Sequence, residues 1–179
     1  MRLRRPSTRR CQAGDGARST RFARGVIDYS RTIEQSQIVP TPIDETWEFF
    51  SNAANLGRIT PRWLSFEILT PQPIEMGVGT LIDYRIRLRG IPMRWRTRIE
   101  RWEPGRCFVD TQERGPFALW EHTHTFESHA DGTLLHDRVR FGLPFGRVGA
   151  IAARLVVARD VDRIFAHRKK VIEIGRAHV

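Results

Sequence analysis

The sequence predicts an α+β domain in which a seven-stranded antiparallel sheet wraps around one long C-terminal helix. Three observations carry that expectation. Short segments with alternating apolar residues, separated by Gly- and Pro-containing turns, fill residues 63–141. A helix start, Thr41-Pro42-Ile43-Asp44, separates a first such segment from the rest. Arg147–Ile172 then keeps one face apolar through Val148, Ile151, Leu155, Ala158, Val161, Phe165 and Ile172.

Taken in order, Thr32–Val39 alternates weakly and reads as the first strand. Thr41 is expected to cap a helix with Pro42 in its first position, and Ile43, Trp47 and Phe50 fall on one face of it. A second short helix is expected over Ala53–Ile59, stopped by Pro61. Strands follow over Trp63–Leu69, Thr80–Leu88, Pro92–Trp102, Arg106–Gln112, Phe117–Phe126 and Thr133–Phe141. Gly77-Val78-Gly79, Arg89-Gly90, Glu103-Pro104-Gly105, Gly115-Pro116 and Asp131-Gly132 punctuate them. Strands joined by such short turns are antiparallel. A helix of this length runs roughly 40 Å at 1.5 Å per residue, enough to lie across the whole sheet. Sheet and helix cannot close tightly on one another everywhere, so a cavity between them is expected.

The bulk numbers fit one domain with a tail. The chain has 179 residues, 40% of them hydrophobic, enough for a real core. No run of about 18 apolar residues occurs, so no helical membrane span is expected. The net charge of +10 is unevenly placed: residues 1–31 hold nine Arg against Asp15 and Asp28, which accounts for +7 of it. The body is only mildly basic, and the charge is set aside as functional evidence; no DNA partner is expected. Cys11 and Cys107 show neither metal spacing nor a disulfide framework, which points to a reduced, cytoplasmic protein.

Both ends stand apart. Residues 1–31 lack apolar periodicity and are expected to be a disordered basic tail. They read as a transit-like leader or, more simply, as a non-native extension. Residues 173–179 are expected to be non-native as well, because Ile174-Gly175-Arg176-Ala177-His178-Val179 resembles translated adapter sequence.

Several runs resemble a known superfamily. These are Phe49-Phe50-Ser51-Asn52-Ala53-Ala54-Asn55-Leu56, Ile59-Thr60-Pro61-Arg62-Trp63-Leu64 and Gly79-Thr80-Leu81-Ile82-Asp83-Tyr84. With them go Gly90-Ile91-Pro92, Trp95-Arg96-Thr97-Arg98-Ile99, Trp120-Glu121-His122-Thr123-His124-Thr125-Phe126 and Leu143-Pro144-Phe145-Gly146. Across residues 32–172 the chain is similar to the START-like SRPBCC superfamily, in its bacterial polyketide cyclase/dehydrase and ligand-binding branch. The resemblance implies the helix-grip (START/Bet v 1-like) fold and a cavity for a small hydrophobic ligand. Members include lipid carriers, coenzyme Q-binding proteins, hormone receptors and aromatase/cyclases, so it does not fix a reaction.

Strand alternation indicates which side chains face inward. Ile82, Tyr84, Ile86 and Leu88 share one face, and Met93, Trp95, Thr97 and Ile99 another; the Arg residues between them are assigned to solvent. Trp120, His122, His124 and Phe126 share a face on one strand, and Leu135, Asp137, Val139 and Phe141 on the next. The candidate ligand-binding residues are therefore Trp63, Tyr84, Ile86, Trp95, Thr97, Phe108, Trp120, Phe126, Val139, Phe141 and Leu155, with Asp110 a further polar candidate of unassigned face. Trp47, Trp63, Trp95 and Trp120 are better explained as core than as ligand contacts, although in this architecture core and cavity wall merge.

His122, His124 and Asp137 are the candidate catalytic group, with Asp137 expected opposite His124 or one pair away. Three readings stay open for them. They form a general acid/base pair for cyclisation or dehydration, a metal site, or a satisfied polar network that orients a ligand's polar end. The third is preferred, so no metal and no cofactor is expected. The favoured function is binding a lipid, quinone or polyketide-like molecule. The alternatives are a cyclase/dehydratase, and an RNA-, ribosome- or membrane-associated module acting through the basic tail. The oligomeric state is left open.

Overall fold

The computed structural model describes Cys11, residues 31–143 and residues 150–174, with side chains of the final helix described over 157–172. Strand β1 (Arg31–Val39) leads into helix α1 (Ile43–Ser51) and two 3-10 turns, Ala53–Arg58 and Arg62–Leu64. Six strands follow: β2 (Glu67–Ile68), β3 (Leu81–Leu88), β4 (Ile91–Glu103), β5 (Cys107–Arg114), β6 (Leu119–His129) and β7 (Gly132–Gly142). Helix α2 (Ala150–Ile174) closes the domain. The seven strands form one sheet in the order β1-β7-β6-β5-β4-β3-β2, antiparallel throughout. This is the expected helix-grip arrangement.

The sheet curves because it carries irregularities. An extra residue, Glu100, interrupts the β4–β5 ladder between Ile99 and Arg101, and Glu113 interrupts it between Thr97 and Arg96. Such bulges reverse the alternation locally and bend the strand. The first brings Trp102 opposite Phe108, so both rings meet Trp47 of α1, at 5.1 and 5.9 Å between centroids. One core cluster forms there from Val39, Phe108, Phe126 and Leu135, covered by Ile43, Trp47 and Phe50 of α1. A second, of Val139 and Phe141 from β7 with Val161 and Phe165 from α2, joins sheet to helix. Hydrophobic burial at these two places holds α1 and α2 against the same concave face.

Outward, the arginine stripe is ion-paired. The Arg96 guanidinium meets both oxygens of Asp83 at 2.8 and 2.7 Å, and Arg98 reaches Glu113 at 2.6 Å. Arg85 pairs with Glu67 across the sheet edge. These are solvated cross-strand pairs on a sheet face, as expected for the arginines between inward residues.

Four details differ from the sequence reading. Trp63–Leu69 is not one strand: Pro61 opens a 3-10 turn, Ser65 takes a left-handed backbone at φ 46°, and only Glu67–Ile68 pairs. Thr41 does not cap α1; its hydroxyl lies 2.7 Å from that of Thr46 instead, and Thr46 bonds on to Thr133 of β7 at 3.1 Å. The β6–β7 turn is Ala130-Asp131, one residue early, and Gly132 already begins β7 at φ 129°. Finally, Cys11 and Cys107 are joined in a disulfide, where no disulfide was expected. The two are 96 residues apart, so only tertiary structure brings them together. Disulfides persist in oxidising compartments, so this bond runs against the reduced cytoplasmic setting.

β1 opens at Arg31, whose guanidinium reaches Asp162 of α2 at 3.2 Å. Apart from Cys11 and Arg31, the basic tail lies outside the described residues, as do the Leu143-Pro144-Phe145-Gly146 run beyond Leu143 and the final residues 175–179. Among the described residues no helix is long and apolar enough to cross a membrane.

Candidate functional site: a cavity with a His–Asp quartet in its wall

A cavity of about 180 Å³ lies between the concave sheet face, the segment from α1 through the two 3-10 turns, and α2. Period-two alternation explains its sheet wall: Ile82, Tyr84 and Ile86 on β3, and Trp95, Thr97 and Ile99 on β4, all turn inward. The indole N–H of Trp95 donates to Thr97 Oγ1 at 3.1 Å, and the Tyr84 hydroxyl lies 3.2 Å from that same oxygen. Burial pushes the Tyr84 phenol well above its ordinary value, against the Thr97 hydrogen bond. Trp120 packs edge-on to Trp95 with centroids 5.1 Å apart.

The polar end is built by the register of three strands. Asp110 of β5 stands opposite His122 of β6, and His124 of β6 stands opposite Asp137 of β7. Diagonal neighbours on the same face are also within reach of long side chains, and here each carboxylate approaches both imidazoles. Asp137 Oδ1 is 3.2 Å from Nε2 of His122 and 2.7 Å from Nδ1 of His124. Asp110 Oδ2 is 3.8 Å from Nδ1 of His122 and 3.4 Å from Nε2 of His124. From α2, Arg168 brings one guanidinium nitrogen to 3.8 Å from Asp137 Oδ1 and 3.4 Å from His124 Nδ1.

Electrostatics follows from burial and from these partners. Burial, with His124 beside it, pushes the His122 imidazole down to about 4 against the pull of the two carboxylates, so the ring is neutral near pH 7. For Asp137, burial opposes ionisation, yet Arg168 and the imidazoles outweigh it and hold the carboxyl well below its ordinary value. Phe108 stacks on His124 at 4.1 Å and Phe165 meets His122 edge-on at 5.4 Å, fixing both ring planes.

Of the sequence candidates, Tyr84, Ile86, Trp95, Thr97, Phe108, Trp120, His122, His124 and Asp110 line the cavity. Asp137 lies behind the two histidines, outside the lining and 3% exposed. Phe126, Val139 and Phe141 face inward but fill the two core clusters rather than the wall, because α1 and α2 cover them. Trp63 is displaced by the 3-10 turn to the surface, 42% exposed, under the Arg163 guanidinium at 5.8 Å. The Leu155 side chain lies outside the described residues. Arg168 was missed, although it had a signal: it follows Phe165 by three residues and fills a charged gap in the apolar stripe before Ile172. Phe49, Asn55, Leu56 and Phe66 also line the cavity; they come from irregular segments where alternation says nothing.

Asp110, His122 and His124 present donor atoms within 4.8 Å of one another and are the described residues able to hold a metal ion together. With its apolar walls and convergent polar end, the cavity can also seat a small molecule and fix its orientation.

Comparison with known proteins places this architecture. The chain resembles the Zhui aromatase/cyclase from Streptomyces sp. R1128, with a TM-score of 0.65 and 20% identity over 83% of this chain and 94% of that one. It resembles TTHA0849 from Thermus thermophilus, with a TM-score of 0.62 and 16% identity over 81% of this chain and 99% of that one. Ara h 8.0201 is similar with a TM-score of 0.55 and 14% identity, over 80% and 97% of the two chains. At these identities the likeness speaks for the fold. Among curated proteins no sequence relative matches. The family model described as polyketide cyclase / dehydrase and lipid transport matches residues 39–167, and the chain therefore belongs to that family, within the START-like SRPBCC superfamily.

Proposed function

We propose that the protein binds a small hydrophobic or aromatic molecule, of lipid, quinone or polyketide-like chemistry, in the cavity between the sheet and α2. The observation that carries this reading is a cavity walled by Tyr84, Ile86, Trp95 and Trp120 whose polar groups gather at one end. Its volume of about 180 Å³ is close to that of an engineered apolar cavity of about 150 Å³ that takes benzene. The enclosed part of the ligand is thus one ring or a chain of similar bulk. Its polar substituent meets Asp110, His122, His124 and Arg168, while Trp95 and Trp120 contribute apolar area and edge contacts.

Titration of the full chain with a naphthalene-type fluorescent probe tests this reading. Saturable binding that quenches tryptophan emission and is lost in Ile86→Trp, where a larger side chain fills the space, supports it. Binding that Ile86→Trp leaves unchanged contradicts it.

A further inference from the structure

We propose that Asp110, His122 and His124 form a binding site for one divalent transition-metal ion, zinc by preference, with an open coordination position facing the cavity. This stands independently of which small molecule the cavity takes.

The spacing suits such an ion. Asp110 Oδ2 is 3.4 Å from His124 Nε2 and 3.8 Å from His122 Nδ1. A tetrahedral zinc with bonds of about 2.0–2.2 Å holds its ligand atoms about 3.4 Å apart. Two imidazole nitrogens and one carboxylate oxygen are a donor set that zinc accepts, leaving a fourth position for water or a ligand oxygen.

Orientation points the same way. The other nitrogen of each ring faces Asp137 Oδ1, at 3.2 Å for His122 and 2.7 Å for His124. An ionised carboxylate only accepts hydrogen bonds, so His122 Nε2, hydrogen-bonded to Asp137 at 3.2 Å, is the nitrogen of that ring that carries hydrogen. In that tautomer Nδ1 is the acceptor atom of the His122 ring, and it is turned toward Asp110, as is Nε2 of His124. Asp110 Oδ2, His122 Nδ1 and His124 Nε2 therefore converge on one point, all within 4.8 Å of one another. A cation at that point is within coordinating reach of all three.

Asp137 supplies the outer shell. A metal-bound histidine donates its remaining N–H to a carboxylate, which fixes tautomer and ring plane; Asp137 accepts from His122 in this way, and its Oδ1 also lies 2.7 Å from His124 Nδ1, while Asp137 stays outside the cavity lining. Arg168 lies on the Asp137 side of His124, against Nδ1, rather than beside Asp110. The two carboxylates outnumber the one guanidinium here, an acidic excess that a divalent cation complements. Because all three ligands line the cavity, the open position would take a carboxylate, phenolate or enolate oxygen from a bound molecule.

The test uses the full chain stripped with chelator and titrated with cobalt(II) alone, then with zinc(II). One equivalent of cobalt is expected to give the intense visible bands of a four- or five-coordinate ion, which zinc then abolishes. Asp110→Asn and His124→Gln are expected to lose the bands. Asp137→Asn, which removes a positioning group, weakens cobalt affinity about 10- to 100-fold while keeping the bands at saturation. His136→Gln, whose ring is held by Ser36 at 2.7 Å away from the site, leaves the titration unchanged. No cobalt bands up to millimolar metal, or bands that persist unaltered in Asp110→Asn, overturn the proposal. If the variants unfold, ring-proton NMR of the wild type decides. Zinc shifts at His122 and His124 uphold the site, and shifts confined to other histidines refute it.

Discussion

Asp137 stands directly opposite His124 in the β6–β7 register, its Oδ1 2.7 Å from His124 Nδ1. That one oxygen also meets His122 and Arg168, so the carboxylate ties β6, β7 and α2 together beneath the cavity.

Removing it leaves Arg168 a buried, uncompensated cation. Losing one partner of a buried charge pair costs about 3–5 kcal/mol. Asp137→Ala is expected to lower the unfolding free energy by about that amount in urea titration. A loss below about 1 kcal/mol would show that water already reaches Arg168.

Gly132 gives a second expectation, from backbone geometry. At φ 129° a Cβ there would lie 2.2 Å from the carbonyl oxygen of Val39 and 2.8 Å from Cα of Pro40. Neither is a flexible side-chain end, so something in β1 or the β6–β7 turn must shift. Gly132→Ala is expected to cost at least about 1–3 kcal/mol, the scale of a strained backbone position. An unchanged denaturant midpoint would mean that the turn rearranges freely.

Tyr84 gives the pH dependence. Burial holds its phenol above the ordinary value of 10.0, so the folded state keeps the proton when the unfolded chain gives it up. The associated stability is fully present below about pH 10 and is lost as pH rises beyond it. In a Tyr29→Phe variant Tyr84 is the remaining tyrosine. Phenolate absorbance should therefore appear only together with loss of tertiary circular dichroism. Ionisation near pH 10 in a still-folded protein would place the hydroxyl in contact with water.

Much of this architecture was legible in the sequence, and the reasons are specific. Alternation placed Ile82, Tyr84, Ile86, Trp95 and Thr97 on the inner face because β3 and β4 pair without interruption there. The Asp–His pairing was legible because the hairpin between β6 and β7 is tight, so register follows from counting. Asp110 was left unassigned although it follows Phe108 by two residues with no bulge between them, and both do line the cavity. Trp63 was misplaced because one left-handed residue, Ser65, ends the turn that carries it. The Cys11–Cys107 bond and the wall residues near Phe49 and Leu56 are long-range facts with no local pattern. Arg168 was readable in principle, as the one charged interruption of an apolar stripe.

That the cavity holds a ligand is the central claim. Native mass spectrometry of the full chain as purified from its expression host, followed by denaturing release, tests it. The expected result is a folded species heavier than the polypeptide by a discrete mass, released as a hydrophobic or aromatic molecule and absent from Ile86→Trp. A wild-type spectrum that shows only the bare polypeptide, and stays so after incubation with lipid, quinone and polyketide-like aromatic compounds, would contradict it.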